Sequence, residues 1–291
     1  MKYEGMIIRP PSEAESLLLQ VTVGCSHNRC TFCAAFKDKR FRIKSFNEIE
    51  EDILEAAARY PWVKRAFLCD GDALIIPQQR LLKILESIRI NLPAVSRIGL
   101  YGNAKSIRKK TVAELIQLRE LGLGIIYLGV ETGNEELLRW IKKGAGCGEM
   151  VEAGRRVREA GIGLSVTVLL GIGGKDRSAE HAEDTGRILT DIDPDYVGAL
   201  TVMVVPGTPL HDAVARGTFA LPDRFGLLRE LEIMISASEF TDCFFASNHA
   251  SNYLPVRARL PQEKDAVLAF IHRVVEERQD DVLRSEFLRA L

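Results

Sequence analysis

The chain has 291 residues, of which 46% are hydrophobic and 27% are charged, a composition typical of a globular protein with a sizeable core. Its 39 Lys and Arg and 40 Asp and Glu residues give a net charge of −1, so electrostatics do not support a nucleic-acid partner. Residues 1–11 lack a signal-peptide pattern, and no apolar run approaches membrane-spanning length. We therefore expect a cytoplasmic protein that binds neither nucleic acid nor a membrane.

Three of the six cysteines, Cys25, Cys30 and Cys33, lie within nine residues directly after an apolar run. In a reducing compartment this clustering favours metal binding over disulfide formation. Three thiolates leave a fourth position open, because closed zinc sites and [4Fe–4S] clusters each take four ligands. The pattern indicates an iron–sulfur cluster, with a zinc site completed by His27 as the alternative. The other cysteines lack ligand spacing: Cys69, Cys147 and Cys243.

Strands and helices are predicted to alternate along the first two thirds of the chain. The first half contains, in order, strand 16–23, helix 45–60, strand 63–69, helix 77–88, strand 96–101, helix 109–121 and strand 124–130. The continuation contains helices 135–143 and 149–160, strand 164–170, helix 176–191 and strand 196–205. Local signals support the helix starts, since Ser45 and Glu48 have capping-box spacing and Pro77 suits a first turn.

Six strands alternating with helices predict an α/β fold, a partial (β/α)6 TIM-type barrel with parallel strands. Beyond residue 210 the alternation weakens into a mainly helical C-terminal extension, with helices at 222–237, 262–278 and 280–291. We expect a core at 1–210 and an extension at 211–291 that packs on the barrel and covers the substrate pocket.

The polar and glycine-rich motifs of the predicted core follow successive strands. They are Asp70-Gly71-Asp72, Gly102-Asn103, Glu131-Thr132-Gly133 and Gly171-Ile172-Gly173-Gly174. The carboxyl ends of parallel strands are where such folds place their sites. These motifs therefore predict a binding site at that edge of the sheet.

With these motifs, the chain resembles the radical S-adenosylmethionine (SAM) enzymes from about residue 16 to residue 210. The family pattern is C-x3-C-x2-C, and this chain has one more residue between Cys25 and Cys30. The segment around Glu131 resembles the Gly-x-Glu-Ser/Thr-Gly segment of one subgroup of these enzymes. That subgroup contains the methylthiotransferases, the Elongator catalytic subunit and the oxygen-independent coproporphyrinogen oxidases. The resemblance implies two cofactors, a [4Fe–4S] cluster and SAM.

By this resemblance, Cys25, Cys30 and Cys33 bind three irons, and the amino and carboxylate groups of SAM chelate the fourth. Phe32 corresponds to an aromatic position near the adenine, with plain core packing as the alternative. Asp70-Gly71-Asp72 resembles the family's Gly-Gly-Glu contact to the SAM ammonium group, where glycine permits close backbone approach. A strand-ending Asp-Gly turn is the alternative for this segment.

Further SAM contacts are implied at five positions. Asn103, and less directly Ser106, correspond to contacts with the sugar or carboxylate, although a turn-forming asparagine would look identical. Glu131 corresponds to a carboxylate that accepts hydrogen bonds from both ribose hydroxyls. Arg155 is a candidate partner of the SAM carboxylate, with an ordinary surface arginine as the alternative. Gly171 opens the segment that corresponds to the adenine contact.

The resemblance implies an enzyme that reductively cleaves SAM to a 5′-deoxyadenosyl radical and abstracts hydrogen from a small organic substrate. A reducing electron donor such as flavodoxin or ferredoxin is the implied partner. His249 and Tyr253, in an irregular polar stretch, are the candidate catalytic residues, with a capped surface loop as the alternative. Two other functions remain open: a cluster-containing haem or metal-centre carrier of the same fold, and a zinc-stabilised redox regulator.

Overall fold

The computed structural model describes residues 1–290. The strands are β1 Leu17–Gln20, β2 Thr22–Val23, β3 Arg42–Ile43, β4 Arg65–Cys69, β5 Arg97–Tyr101, β6 Leu123–Glu131, β7 Gly163–Leu170, β8 Tyr196–Thr201, β9 Cys243–Ala246 and β10 Arg257–Leu260. The α-helices are α1 Phe46–Arg59, α2 Gln78–Asn91, α3 Ala104–Arg108, α4 Val112–Glu120, α5 Glu135–Trp140, α6 Cys147–Glu159, α7 Ser178–Ile192, α8 Pro209–Ala215, α9 Arg224–Ser236 and α10 Lys264–Glu276.

The strand order confirms the predicted α/β fold with a mostly parallel sheet. Eight strands follow one another as β1-β4-β5-β6-β7-β8-β9-β10, and the pairs β1/β4, β4/β5, β5/β6 and β7/β8 are parallel. The predicted first strand is divided, because β2 leaves the main sheet and pairs antiparallel with β3. The capping box at Ser45 and Glu48 is present at the start of α1.

The chain divides into two compact units. The first comprises Met1–Asn28, Ala35–Leu128 and Glu152–Leu164, and the second comprises Arg29–Ala34, Gly129–Val151 and the described part of Ser165–Leu291. The boundary predicted at residue 210 stays a prediction. No helix within residues 1–290 is both long and apolar enough to cross a bilayer.

In the first unit, an aromatic cluster of Phe67, Tyr101 and Tyr127 packs edge to face across three adjacent strands. The ring centroids lie 5.0 to 6.0 Å apart, a favourable geometry for aromatic pairs. Beside it, the fully buried Glu13 carboxylate accepts hydrogen bonds from Arg97 Nη2 at 2.6 Å, from Tyr127 Oη at 2.5 Å and from Ser16 Oγ. The N-terminal segment is thereby held against β5 and β6.

In the second unit, β8 pairs parallel with β9, and β9 pairs antiparallel with β10. These two four-residue strands were not predicted, because so short a pattern does not separate strand from loop. The short helices α3 and α8 were missed for the same reason. Helix α9 packs against both α7 and α10.

The predicted helix 280–291 is wrong within the described residues. This segment forms two single turns, Asp280–Val282 and Glu286–Leu288, and Leu291 lies outside the described residues. The physical reason is tertiary: the Arg284 amide donates to Tyr253 O at 2.7 Å, and the Arg284 guanidinium donates to His249 O and Asn252 O. These bonds replace the helical ones that the local pattern favours.

The buried carboxylate of Glu13 allows a direct test of the N-terminal segment. Glu13→Ala leaves the Tyr127 hydroxyl and the partly buried Arg97 guanidinium without their acceptor, so we expect the free energy of unfolding to fall by about 3 kcal/mol. Denaturant titration followed by circular dichroism measures this change. The matched control is Glu15→Ala, since Glu15 forms an exposed pair with Arg65 and should leave the midpoint unchanged. Equal midpoints for the two variants would contradict the assignment.

Candidate functional site

The cysteine loop runs from the end of β2 to the start of β3. Cys25, Cys30 and Cys33 are half-buried thiols. Between the last two, the Thr31 amide donates to Ile141 O at 2.9 Å, and Thr31 O accepts from the Leu210 amide at 3.1 Å. The part of the loop that belongs to the second unit is thus anchored through its backbone.

The C-x4-C segment contains a residue in the left-handed conformation. Asn28 has φ +44°, a conformation that asparagine tolerates better than most residues. Its side-chain amide donates to Phe36 O at 2.7 Å, and its carbonyl accepts from Lys37 Nζ at 2.8 Å. Both contacts lie within the first unit and turn the chain after Ser26 and His27.

Asp70, directly after β4, holds both flanks of the cysteine loop within the first unit. Its Oδ2 accepts from the Gly24 amide at 3.2 Å and from Lys39 Nζ at 3.0 Å, and from Gln20 Nε2 at 3.2 Å. The Asp70 side chain is fully buried, and that of Lys39 is 6% exposed. Among the described residues, Oδ1 of Asp70 has no hydrogen-bond partner. Oδ2 of Asp70 therefore holds the loop, whereas Oδ1 makes no hydrogen bond to the described residues.

Asp72 connects the loop to the end of β5. Its oxygens accept from Ser26 Oγ at 2.5 Å, Ser106 Oγ at 2.7 Å and Asn103 Nδ2 at 2.8 Å. Burial raises the pKa of Asp72, and these hydrogen bonds oppose that shift. Asn103 also caps α3 together with Ser106. The structure thus brings together the predicted residues Asp72, Asn103 and Ser106 as one network, in which the Asp72 side chain already has its donors.

Gly71, between the two aspartates, lies directly against the loop. A Cβ atom at this position would be 2.7 Å from the Phe36 ring and 3.0 Å from Cys25 Cβ. Its amide donates to Gly24 O at 3.2 Å. A side chain would therefore displace the loop, which explains glycine here on steric grounds.

The donor set fits the cofactors that the resemblance implies. Three half-buried thiols in one loop would supply one ligand to each of three irons, and Asp70 Oδ1, which has no partner among residues 1–290, is a buried acceptor suited to an ammonium group. Within residues 1–290, no three His, Cys, Asp or Glu side chains are arranged to hold a single metal ion. Ligands of a cubane cluster bind separate irons and need not meet around one point, unlike those of a zinc ion.

In the second unit, Glu131 ends β6 in a strained conformation. Its φ is +70°, which costs about 1–3 kcal/mol for a residue with a side chain. The carboxylate is buried and forms an ion pair with Lys143 at 2.6 Å. Sequence reasoning missed Lys143, although this lysine ends the predicted helix 135–143 and was visible as a charge signal; the helix itself ends at Trp140. The left-handed backbone and the ion pair with Lys143 together hold the Glu131 carboxylate in a defined position.

The remaining predicted cofactor residues differ in their surroundings. Gly171 is buried at the end of β7 with φ +84°, and a Cβ there would lie 2.9 Å from Leu227. Phe32 is half-buried in the cysteine loop, and Arg155 is exposed on α6. The neighbouring Arg156 instead donates to the carbonyls of Arg108 and Lys110. The roles assigned to Phe32, Arg155 and Gly171 stay predictions.

The irregular stretch that carries His249 and Tyr253 lies between β9 and β10 in the second unit. The Ser251 amide donates to His249 Nδ1 at 3.1 Å, so Nδ1 lacks a proton and Nε2 carries one. Burial and the nearby Arg284 lower the pKa of His249, which favours the neutral imidazole. The Tyr253 hydroxyl contacts Glu286 and Arg289. The catalytic assignment of both residues stays a prediction.

The scattered cysteines are poorly suited to ionise. Burial raises the pKa values of Cys69 and Cys243, and it raises the pKa of Cys147 to about 12. The thiol of Cys147 donates to Gly133 O at 3.0 Å. Because the thiolate is the metal-binding and nucleophilic form, these three residues have little reactivity of their own.

Comparisons with curated proteins reveal distant relatives. The chain is 21% identical over 220 residues to the heme chaperone HemW of Bacillus subtilis, covering 74% of this chain and 58% of that protein. It is 22% identical over 225 residues to an uncharacterized methyltransferase of Pyrococcus horikoshii, covering 75% of this chain and 46% of that protein. The chain thus spans about half the length of these relatives.

Comparisons with solved structures show the fold. The radical SAM methyltransferase TsrM of Kitasatospora setae superposes with a TM-score of 0.58 at 19% identity, covering 69% of this chain and 39% of that one. Methylornithine synthase (PylB) gives a TM-score of 0.54 at 20% identity, with coverages of 77% and 63%. Elp3 of Methanocaldococcus infernus gives 0.53 at 14% identity, with coverages of 80% and 59%.

The family model described as the radical SAM superfamily matches residues 19–187, more than half of the chain. This range includes the three clustered cysteines and the strand-end motifs that follow β4, β5, β6 and β7. The sequence motifs, the mostly parallel sheet and the family match agree, and the chain belongs to the radical SAM superfamily.

Proposed function

We propose that this protein is a radical SAM enzyme that binds a [4Fe–4S] cluster through Cys25, Cys30 and Cys33 and acts on a small organic substrate. The observation that carries the proposal is the family match over residues 19–187, which contains all three cysteines. When bound by the three cysteines and reduced, the cluster would supply the one electron needed for reductive cleavage of SAM to methionine and a 5′-deoxyadenosyl radical that could take a hydrogen atom from the substrate. A reducing protein such as flavodoxin or ferredoxin would provide the electron.

The residues of the chain bind and orient SAM in this proposal. In the first unit, Asp70 Oδ1 accepts from the SAM ammonium group while Oδ2 keeps the cysteine loop in place, and Gly71 allows the backbone to approach. Asn103 contacts the sugar or carboxylate. In the second unit, Glu131 accepts hydrogen bonds from the ribose hydroxyls, and Gly171 contacts the adenine. The strain at Glu131 supports its role, since strained residues concentrate at functional sites.

A second candidate function is a haem or metal-centre carrier that retains the cluster. The similarity to a heme chaperone favours it, at 21% identity over 220 residues. The two candidates differ in their products, because an enzyme of the proposed type releases 5′-deoxyadenosine upon reduction with dithionite in the presence of SAM. Tight binding of haem without any 5′-deoxyadenosine would favour the carrier.

The cysteine assignment is tested by comparing two substitutions. Cys30→Ala should abolish the visible absorption of the reconstituted protein and its production of 5′-deoxyadenosine, because one iron loses its ligand. Cys147→Ala is the control and should leave both unchanged, since Cys147 lies outside the cysteine loop and its thiol donates to Gly133 O. Iron and sulfide analysis accompanies the spectra. One zinc per chain without sulfide would overturn the proposal in favour of a zinc-stabilised regulator.

The close packing of Gly71 against Cys25 predicts a steric effect on cluster loading. Gly71→Ala places a methyl group 2.7 Å from the Phe36 ring, so we expect the iron content after anaerobic reconstitution to fall about twofold or more. Gly148→Ala is the control, because a Cβ there meets no atom within 4 Å. Equal iron contents in the two variants would contradict the steric argument.

The ribose contact proposed for Glu131 predicts a loss of SAM affinity. Glu131→Ala removes the acceptor of both hydroxyls and should raise the Kd for SAM about tenfold or more. Isothermal titration calorimetry on the cluster-loaded protein measures the change. Glu183→Ala, at an exposed ion pair with Arg187, serves as the control. An unchanged Kd in Glu131→Ala would exclude the ribose contact.

A further inference from the structure

His181 connects the ends of two strands inside the second unit. This α7 residue is fully buried, with Nδ1 2.8 Å from Thr132 Oγ1 and Nε2 2.9 Å from Leu169 O. Thr132 directly follows Glu131, and Leu169 lies two residues before Gly171. One imidazole therefore contacts both segments to which the adenosine part of SAM is assigned.

The hydrogen bonds determine which nitrogen carries the proton. Leu169 O only accepts, so Nε2 of His181 donates to it. The Thr132 hydroxyl accepts from the Asn134 amide at 3.0 Å, which leaves its own hydrogen for Nδ1. The Thr185 hydroxyl donates to His181 O at 2.6 Å and does not compete. The network is fully satisfied and orients the ring uniquely.

Glu230 completes this network from α9. Its side chain is buried, and its Oε1 accepts from the Gly171 amide at 2.5 Å and lies 3.3 Å from His181 Nε2. Its Oε2 accepts from Ser178 Oγ, at the first residue of α7. A single carboxylate thus holds the residue that follows β7, the start of the next helix and the imidazole.

We propose that His181 and Glu230 are positioning residues that hold the Glu131 and Gly171 segments for the adenosine part of SAM. The inference rests on the proposed function. Stability alone does not account for the pair, because apolar residues fill a core at lower desolvation cost. The strand-end contacts of the pair instead go to backbone or side-chain groups of the predicted nucleoside contacts or of residues within two positions of them, as supporting residues of a binding site do.

The test compares substitutions at Glu230. Glu230→Ala leaves the Gly171 amide without an acceptor, so the Kd of the cluster-loaded protein for SAM should rise about tenfold. Glu230→Gln retains an oxygen for Gly171, and the Ser178 hydroxyl can reverse to accept from the new amide; its Kd should stay within about twofold of wild type. Glu232→Ala is the matched control, because this α9 glutamate pairs with His272 at the surface.

Two further measurements keep the inference open to refutation. Thr132→Val replaces by a methyl group the hydroxyl that donates to His181 and accepts from the Asn134 amide, and it should weaken SAM binding in the same direction, even if Glu230→Ala does not fold. Amide hydrogen exchange at Gly171, measured without SAM, should become faster in Glu230→Ala and not in Glu232→Ala.

The outcomes separate the inference from the function on which it rests. SAM affinity equal to wild type in folded Glu230→Ala and in Thr132→Val overturns the inference and leaves the enzyme assignment standing. A Glu230→Gln variant as weak as Glu230→Ala also overturns it, because charge rather than acceptor geometry would then be responsible. Wild-type protein that loads a cluster but binds no SAM overturns the proposed function, and the inference fails with it.

Discussion

The buried carboxylate of Asp70 is the interaction on which the cysteine loop depends. One oxygen holds the Gly24 amide before the cysteines and the Lys39 ammonium after them, so both ends of the loop are tied to the end of β4. Desolvating a lysine and an aspartate is costly unless the pair is well hydrogen-bonded. This desolvation cost arises at a loop of irregular backbone, where the ion pair keeps three thiols in place.

The second unit also holds the backbone at its strand ends through buried polar side chains, but with different residues. Buried polar side chains from helices, His181 and Glu230, hold the backbone that follows β6 and β7. The Asp70 network of the first unit and the His181–Glu230 network of the second both lie at the carboxyl ends of parallel strands, whereas most buried strand residues are apolar. Apolar packing supplies stability, and directional hydrogen bonds give the strand ends defined conformations.

Much of the fold was predictable because strong local signals agreed with the tertiary structure. Each predicted strand of the core is present within a few residues, and α1 begins at its capping box. The failures share a cause. The elements α3, α8, β9 and β10 are too short to display a period, and segment 280–290 follows contacts to residues 249–253 that lie far away in sequence. Within the candidate site, the cysteines and the strand-end motifs could be recognised in the sequence from their spacing.

The sequence alone determined the alternation of strands and helices, the three-cysteine loop and the order of the polar motifs, because each is a pattern of neighbouring residues. Only the tertiary structure decided what the side chains of these motifs do. Asp72 proved to be bonded to Ser26, Ser106 and Asn103, and Glu131 proved to be strained and paired with Lys143. His181 and Glu230 left no local signal, since a buried polar network becomes apparent only when distant segments pack together.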